Sequence, residues 1–255
     1  MAAWALELIY VLGALVMFRL IMLFFLACGI GVALAEEIET VKSWEHYREM
    51  LIRDGESEAA ADSAIAELLA SLGAMDRSAG NDLIGVPAPP FNFDGWLNSE
   101  PLSLEDLRGR VVLVRWWTET CPFCASSAPA LRDMHKQYSS KGLTVIGVYH
   151  PKADRDGPLD LARVERAVAA RELDFPIAID WDWENGVLAD WWYTGPERPA
   201  TSVTFLLDKS GVIQYVHPGM EYHDYTESNL SPEGHAMCAT DLAGIRSQIE
   251  RLLAE

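Results

Sequence analysis

The feature that most constrains this 255-residue chain is a pair of cysteines, Cys121 and Cys124, that lies between an apolar run and a helical pattern. Residues 111–117 are apolar except for Arg115, as expected of a strand that is covered on both faces. Across residues 122–138, apolar side chains recur at helical spacing. The sequence therefore predicts a buried strand, a short connection and a helix that begins at the cysteine pair.

The position of Cys121 at a helix N-terminus favours its thiolate form. Unpaired N–H groups and the helix dipole there can lower a thiol pKa from about 8.5 to between roughly 3.5 and 7.5. Pro122 suits the first helical turn because it lacks an N–H that would have no partner there. Cys124, one turn later, is close enough to attack a mixed disulfide formed by Cys121. We therefore predict redox chemistry at this pair; a stabilising disulfide or half of a metal site is less consistent with so short a loop.

The C-terminal region contains the other candidate ligands. Cys238 follows His235 by three residues, a helical spacing that can hold a metal, but the spacing identifies no further ligand. A buried thiol, a third redox partner and a metal ligand stay open for Cys238. A metal or copper-delivery role is also open for the tail, whose other candidate side chains are His217, Glu221, His223 and Asp224. We predict no metal and no organic cofactor.

The apolar run at residues 8–35 predicts export. Arg19 interrupts it and would cost roughly 3 kcal/mol near a bilayer centre. A start at Met17 instead gives the basic, apolar and small-residue parts of a secretory signal. We predict that residues 1–35 are a signal peptide or a membrane anchor. With a signal peptide the domain is free in the periplasm; with an anchor it is attached to the inner membrane and lies in the periplasm.

Two further segments follow the apolar run. Residues 36–82 are predicted to be a helical spacer, or extra helices packed on the domain, that leads into a linker over residues 78–90 with two Gly and three Pro. Residues 83–255 alternate between strand and helix patterns, which predicts an α/β domain with a mixed central sheet and helices on both faces. The predicted strands are residues 111–117, 143–149, 177–179, 203–207 and 212–216, and the predicted helices are residues 122–138, 159–173, 184–192 and 241–253.

The charge of the chain excludes one class of partner. The formal net charge is −18, and the basic residues form no run. Because binding to phosphate backbones requires clustered Lys and Arg, we predict no nucleic-acid partner.

Short motifs on both sides of the cysteines give the sequence a family resemblance. They are residues 101–109 before the first strand, the Cys-Pro-Phe-Cys pair, Pro129 eight residues after the first cysteine, residues 142–148, and residues 205–208 with Gly211. Over about residues 83–217 the chain resembles thioredoxin-like redoxins of the TlpA type, including the thioredoxin-like domain of DipZ-type membrane proteins. The resemblance implies a thioredoxin-like fold and an exported thiol-disulfide oxidoreductase with protein thiol or disulfide clients. It also implies a reducing role, such as cytochrome c or metalloenzyme maturation, and a membrane-bound electron donor.

Three positions depart from the family pattern. Arg115 stands where thioredoxin has a buried Asp, Ser127 replaces a Glu that often follows the pair, and Ser202 occupies the place of the cis-proline that faces the cysteines. Pro199 could take that place if the loop were shifted. The resemblance implies substrate contacts at Trp117, Pro122, Phe123 and Ser202.

Two alternative functions are also compatible with the sequence. The spacing of Thr118 and Cys121 matches a peroxidatic Thr-x-x-Cys, so a redoxin-type thiol peroxidase is the second hypothesis, with Cys124 as the resolving residue. A membrane-tethered assembly factor without enzymatic activity is the third. Glu119 is interpreted as a solvated turn residue.

Overall fold

The centre of the fold is one mixed sheet. Its strands are β1 Gly95–Leu97, β2 Val111–Trp117, β3 Leu143–Tyr149, β4 Ile177–Ile179, β5 Thr204–Leu207 and β6 Ile213–His217. They lie in the order β1-β4-β3-β2-β5-β6. Strands β2, β3 and β4 are parallel, whereas β1, β5 and β6 run antiparallel to their neighbours. The predicted mixed sheet of a thioredoxin-like fold is confirmed.

Helices cover both faces of this sheet. They are α1 Trp44–Arg53, α2 Glu58–Ala74, α3 Pro122–Tyr138, α4 Leu161–Ala170, α5 Val187–Trp192 and α6 Pro232–Ala254. Polar side chains accept backbone N–H groups at most of the N-termini, as Ser43 does at α1 and Ser231 at α6. Such caps define where each helix begins, because the first N–H groups of a helix have no partner within it.

The alternation of side chains along β2 places Arg115 on the face that carries α3. Successive residues of a strand point to opposite faces. Leu113 and Trp117 belong to the buried cluster that contains Cys124, while Val114 belongs to the cluster on the other face. Arg115 therefore projects from the central strand toward the helix of the cysteine pair.

The N-terminal helices, α1 and α2, pack against the part of the domain that carries the cysteines. The described part of the chain is residues 38–152, 157–196, 198–225 and 231–255, and Glu39–Glu255 forms one compact unit. Trp44 of α1 and Leu72 of α2 share a buried cluster with Phe123 and Cys238. The helices predicted for this segment are confirmed, as extra helices that pack on the domain.

Some element boundaries differ from the sequence prediction. Strand β1 was not predicted, because its three residues are half-buried and show no alternation. Helix α6 begins at Pro232 rather than at residue 241, after a Ser231 cap and with Pro in its first turn. The predicted linker pairs partly with the edge of the sheet, since the Gly85 N–H donates to the Ile213 carbonyl at 2.8 Å.

The predicted signal or anchor, residues 1–35, lies outside the described residues. Among the helices that are described, none combines the length and apolar character needed to cross a membrane.

Candidate active site

The two cysteines meet at the first turn of α3. Cys121 is the N-cap of this helix, and its Sγ accepts the Cys124 N–H at 3.2 Å. The two Sγ atoms are 2.6 Å apart. Both thiols are free, with Cys124 buried and Cys121 partly exposed. This arrangement leaves one sulfur open to a client and holds the second sulfur directly behind it.

Arg171 closes one side of the cysteine pair. It follows α4, is 4% exposed, and lies with its guanidinium carbon 5.0 Å from the centre of the Trp117 ring. Its Nη2 donates to the carbonyl oxygens of Glu119 at 3.0 Å and Cys121 at 3.2 Å. A buried cation is thereby fixed beside the nucleophile candidate by backbone acceptors, so that its charge is available to the sulfurs.

Arg115 supplies a second buried cation near the cysteine pair. The residue is fully buried, and its Nη2 donates to the Met220 carbonyl at 2.5 Å. Its Nη1 donates to Thr204 Oγ1 at 3.2 Å and to the Ser202 carbonyl. The guanidinium also lies 5.0 Å from the centre of the Tyr222 ring. Where thioredoxin places a buried acid, this chain places a buried cation.

These charges make the first ionisation of the pair easy and the second difficult. At Cys121, burial and then the hydrogen bond to Cys124 raise the pKa well above its ordinary value. At Cys124, burial acts in the same direction but is outweighed by the hydrogen bond with Cys121 and the charges of Arg115 and Arg171, which lower the pKa to about 5. The sulfurs thus share one proton, and the resulting negative charge belongs to the pair.

A pocket of about 340 Å³ opens over the two cysteines. Helix α2 contributes Leu68 and Ser71 to its wall, and the loop before β5 contributes residues 199–202. The remaining lining residues are Thr118, Phe123, Lys152, Tyr193, Arg198 and Met220. The pair can therefore be reached from solvent between the N-terminal helices and the loop at residue 202.

The residues expected to contact substrate occupy different places. Phe123 and Ser202 line the pocket. Trp117 and Pro122 are buried and are not among its lining residues. Trp117 packs edge-on against Tyr149, with ring centroids 5.3 Å apart. Trp117 therefore packs in the buried core next to Cys124 and does not line the pocket.

Ser202 holds two loops together at the place where the family has cis-proline. Its hydroxyl accepts the Met220 N–H at 3.2 Å, and its carbonyl accepts from Arg115. All peptide bonds among the described residues are trans. The pocket wall at Ser202 is thus fixed by side-chain hydrogen bonds.

Glu119 is not a solvated turn residue, so that interpretation was wrong. The side chain is 1% exposed. Its Oε1 accepts from Tyr149 Oη at 3.0 Å and Arg163 Nε at 2.5 Å, while its Oε2 accepts from Thr118 Oγ1 at 2.8 Å. The guanidinium neutralises the carboxylate, which limits its repulsion of a nearby thiolate.

Sequence reasoning missed the contributions of Arg171, Lys152 and helix α2 to this site. Arg171 and Lys152 both favour the charged form of Cys121. Neither belongs to a motif, and neither is near the cysteines in sequence. Only the ends of β3 and α4 bring them there, so no local signal could have identified them.

Comparisons with known proteins indicate the family of this chain. A family model described as Redoxin matches residues 83–231, which include both cysteines. Thioredoxin-like protein YneN of Bacillus subtilis is 33% identical over 135 residues, which cover 53% of this chain and 71% of YneN. Protein DipZ of Mycobacterium tuberculosis is 31% identical over 141 residues, which cover 52% of this chain but 18% of DipZ. Thiol-disulfide oxidoreductase ResA of Oceanobacillus iheyensis is 25% identical over 151 residues, 58% of this chain and 71% of ResA.

Proposed function

The chain belongs to the redoxin family and is a thiol-disulfide oxidoreductase, and we propose that Cys121 and Cys124 exchange a dithiol for a disulfide with protein clients. The observation that carries this proposal is the 2.6 Å contact between the two sulfurs at the N-terminus of α3. A pocket opens on the same two residues. Attack on a client and release of that client can therefore occur without a change in the fold.

The proposed reaction has two sulfur exchanges. The Cys121 thiolate attacks one sulfur of a client disulfide, forming a mixed disulfide and expelling a client thiolate that takes up a proton. The Cys124 thiolate then attacks the Cys121 sulfur and expels the second client thiolate, which is also protonated. Two electrons pass from the enzyme pair to the client. The proton shared by the two sulfurs supplies one client thiol, solvent supplies the proton of the other, and the enzyme keeps a Cys121–Cys124 disulfide.

Exposure and charge support these roles. Cys121 is the partly exposed sulfur and Cys124 the buried one, so a large client meets Cys121 first. Attack needs a thiolate, and Arg115, Arg171 and Lys152 each favour negative charge on one or both sulfurs. Because Cys124 keeps its short contact with Cys121, it is placed to resolve the mixed disulfide quickly.

We propose that the net direction is reduction of clients, with electrons from a membrane-bound donor. Stabilised thiolates favour the dithiol over the disulfide form, so the two arginines help the pair to accept electrons from a donor but make it a weaker reductant of clients. The proposed direction therefore rests on the resemblance to TlpA-type proteins. Maturation of cytochromes c or of metalloenzymes is the proposed setting, by analogy with TlpA-type proteins.

The proposed location is the periplasm, either free or anchored to the inner membrane through residues 8–35. The apolar N-terminal run supports this proposal. In that oxidising compartment a dithiol would need a dedicated reductant, which is consistent with the proposed membrane-bound donor.

The thiol-peroxidase hypothesis receives no comparable support from the site. The hydroxyl of Thr118 donates to Glu119 Oε2 at 2.8 Å. A peroxidatic Thr would instead direct its hydroxyl to the reacting sulfur and peroxide. Glu119, which accepts the hydrogen bond from Thr118, also accepts one from Arg163.

Trapping of mixed disulfides tests the proposal directly. The Cys124→Ser variant should accumulate disulfide-linked complexes through Cys121, and these should disappear on treatment with a thiol reductant. The matched control is Cys121→Ser, which keeps only the buried sulfur of the pair and should trap nothing. Insulin-disulfide reduction by the unmodified chain should require both cysteines. Peroxide consumption that needs Cys121, without disulfide exchange, would reject the proposal and favour the peroxidase.

A further inference from the structure

Three metal-binding side chains meet behind the cysteine pair, outside the pocket described above. Glu221 and His223 lie in the loop after β6, and Cys238 lies in α6. One donor atom from each lies within 4.8 Å of the other two. All three residues are at most 1% exposed. Buried polar groups normally have partners, so this convergence of three donors requires an explanation.

The tautomer of His223 leaves a ligand atom facing the cluster. Its Nδ1 is 3.0 Å from the Tyr225 carbonyl oxygen, which can only accept, so Nδ1 carries the proton. Nε2 therefore has a free lone pair, and it has no hydrogen-bond partner among the described residues. A histidine that binds a metal through one ring nitrogen usually donates its other ring N–H to an acceptor such as a backbone carbonyl.

Glu221 presents a second electron-rich atom to the same point. Its Oε2 accepts from Trp44 Nε1 at 3.3 Å, while its Oε1 is buried and lacks a partner within the described structure. His223 Nε2 lies 3.9 Å from Glu221 Oε2. These two atoms thus face each other at a distance that a cation between them would explain.

We propose that Glu221, His223 and Cys238 bind one zinc ion. Zinc takes sulfur, nitrogen and carboxylate oxygen together, whereas magnesium and calcium prefer oxygen ligands. Bond lengths of about 2.0 to 2.3 Å imply donor separations of roughly 3.3 to 3.8 Å in a tetrahedral site, which small side-chain rotations would reach from the present positions. The carboxylate and the thiolate balance the dication, and binding releases the Cys238 proton to solvent.

The site would fix the loop that forms the floor of the cysteine pocket. Between β6 and the proposed ligands, the backbone of Met220 contacts both Arg115 and Ser202. The Tyr222 N–H donates to Ser127 Oγ on α3 at 3.1 Å. An ion that joins this loop to α6 would therefore hold the support of Arg115 in place next to the redox pair.

Cobalt titration of the full-length chain tests the proposal. The redox cysteines can also bind metal, so the experiment uses the Cys121→Ser/Cys124→Ser background, in which Cys238 is the one cysteine left after residue 120. We expect one equivalent of Co²⁺ to bind with tetrahedral d–d bands and a thiolate-to-cobalt charge-transfer band. Addition of Cys238→Ala should abolish the charge-transfer band, and His223→Ala should weaken binding more than Trp44→Phe does. The Trp44→Phe change removes the outer hydrogen bond to Glu221 and should weaken binding about tenfold.

Two results would overturn the zinc site. One is that the double-serine background binds no cobalt, so that any metal in the unmodified chain sits on the redox pair. The other is that the charge-transfer band survives Cys238→Ala. Far-ultraviolet circular dichroism identifies any variant that fails to fold. For such a variant, zinc content and zinc-induced thermal stabilisation of the double-serine background decide the question, because a folded background that takes up no zinc rejects the site.

Discussion

The indole ring of Trp44 meets the ring of Phe123 edge-on, with ring centroids 5.0 Å apart. Trp44 begins α1, and Phe123 lies between the two cysteines in the first turn of α3. Both side chains are buried. Since α2 also contributes Leu68 and Ser71 to the pocket wall, the N-terminal helices help to form the candidate site.

Loss of the Trp44 ring should weaken both the fold and the reaction. We expect Trp44→Ala to lower the free energy of unfolding by about 3 to 5 kcal/mol, the usual cost of truncating a buried large aromatic residue. Insulin reduction should slow as well, because Phe123 loses its support next to Cys121. Denaturant unfolding and a disulfide-reduction assay measure the two effects. Leu161→Ala is the control, since Leu161 is 43% exposed and should change stability by no more than about 0.5 kcal/mol; equal stabilities of the two variants would contradict this role of Trp44.

Removal of the Arg115 charge should make the cysteine pair harder to ionise. Arg115 lowers the pKa of Cys124, so Arg115→Leu should raise the first thiol pKa of the pair, by about one unit. The dithiol form then loses about 1.4 kcal/mol of stabilisation, and the reduction potential should become more negative by about 30 mV. Thiolate absorbance against pH and equilibration with glutathione measure these changes. Arg115→Lys keeps the charge and should shift both values less; identical shifts in the two variants would show that the charge is not the cause.

The sequence predicted the central elements because their signals are local. The predicted limits of β2, α3, β3 and β4 agree with the structure. Each of these elements is an apolar run or a helical stripe, bounded by turn residues and, at α3, by Pro122. The cysteine pair was predicted for the same reason, since its position between a strand and a helix follows from a single window of sequence.

The electrostatics of the site could not be predicted because they depend on long-range contacts. Glu119 pairs with Arg163, 44 positions away in sequence. Arg171 reaches the carbonyl of Cys121 across 50 positions, and Trp44 reaches Glu221 across 177. No periodicity encodes such contacts; they arise when the ends of separate strands and helices meet at one edge of the sheet.

The Glu119–Arg163 pair should contribute strongly to stability. The effect of removing one of the two residues should depend on whether the other is present. Removal of one partner of a buried ion pair typically costs about 3 to 5 kcal/mol, because the other charge stays buried. We expect Glu119→Ala to show a loss of this size in urea unfolding. The double variant Glu119→Ala/Arg163→Met should recover a substantial part of it, since neither position then leaves an unpaired charge in the interior. Additive losses in the double variant would count against an energetic link between the two residues.

His150 should make the fold sensitive to mild acid. Its ring is fully buried against Trp183, and neither ring nitrogen has a hydrogen-bond partner among the described residues. Burial, and then the charge of Lys152, lower its pKa from 6.5 to about 3. Below pH 6.5 the unfolded chain therefore binds a proton that the folded chain does not, and stability falls as the pH drops, by about 3 kcal/mol at about pH 4.5 for this residue. His150→Phe fills the same space without a titrating group, so the stability difference between the two proteins, measured by urea unfolding at a series of pH values, should shift by that amount in favour of the variant in acid. All other histidines are common to both proteins, so parallel stability curves would show that His150 is not the acid-sensitive group.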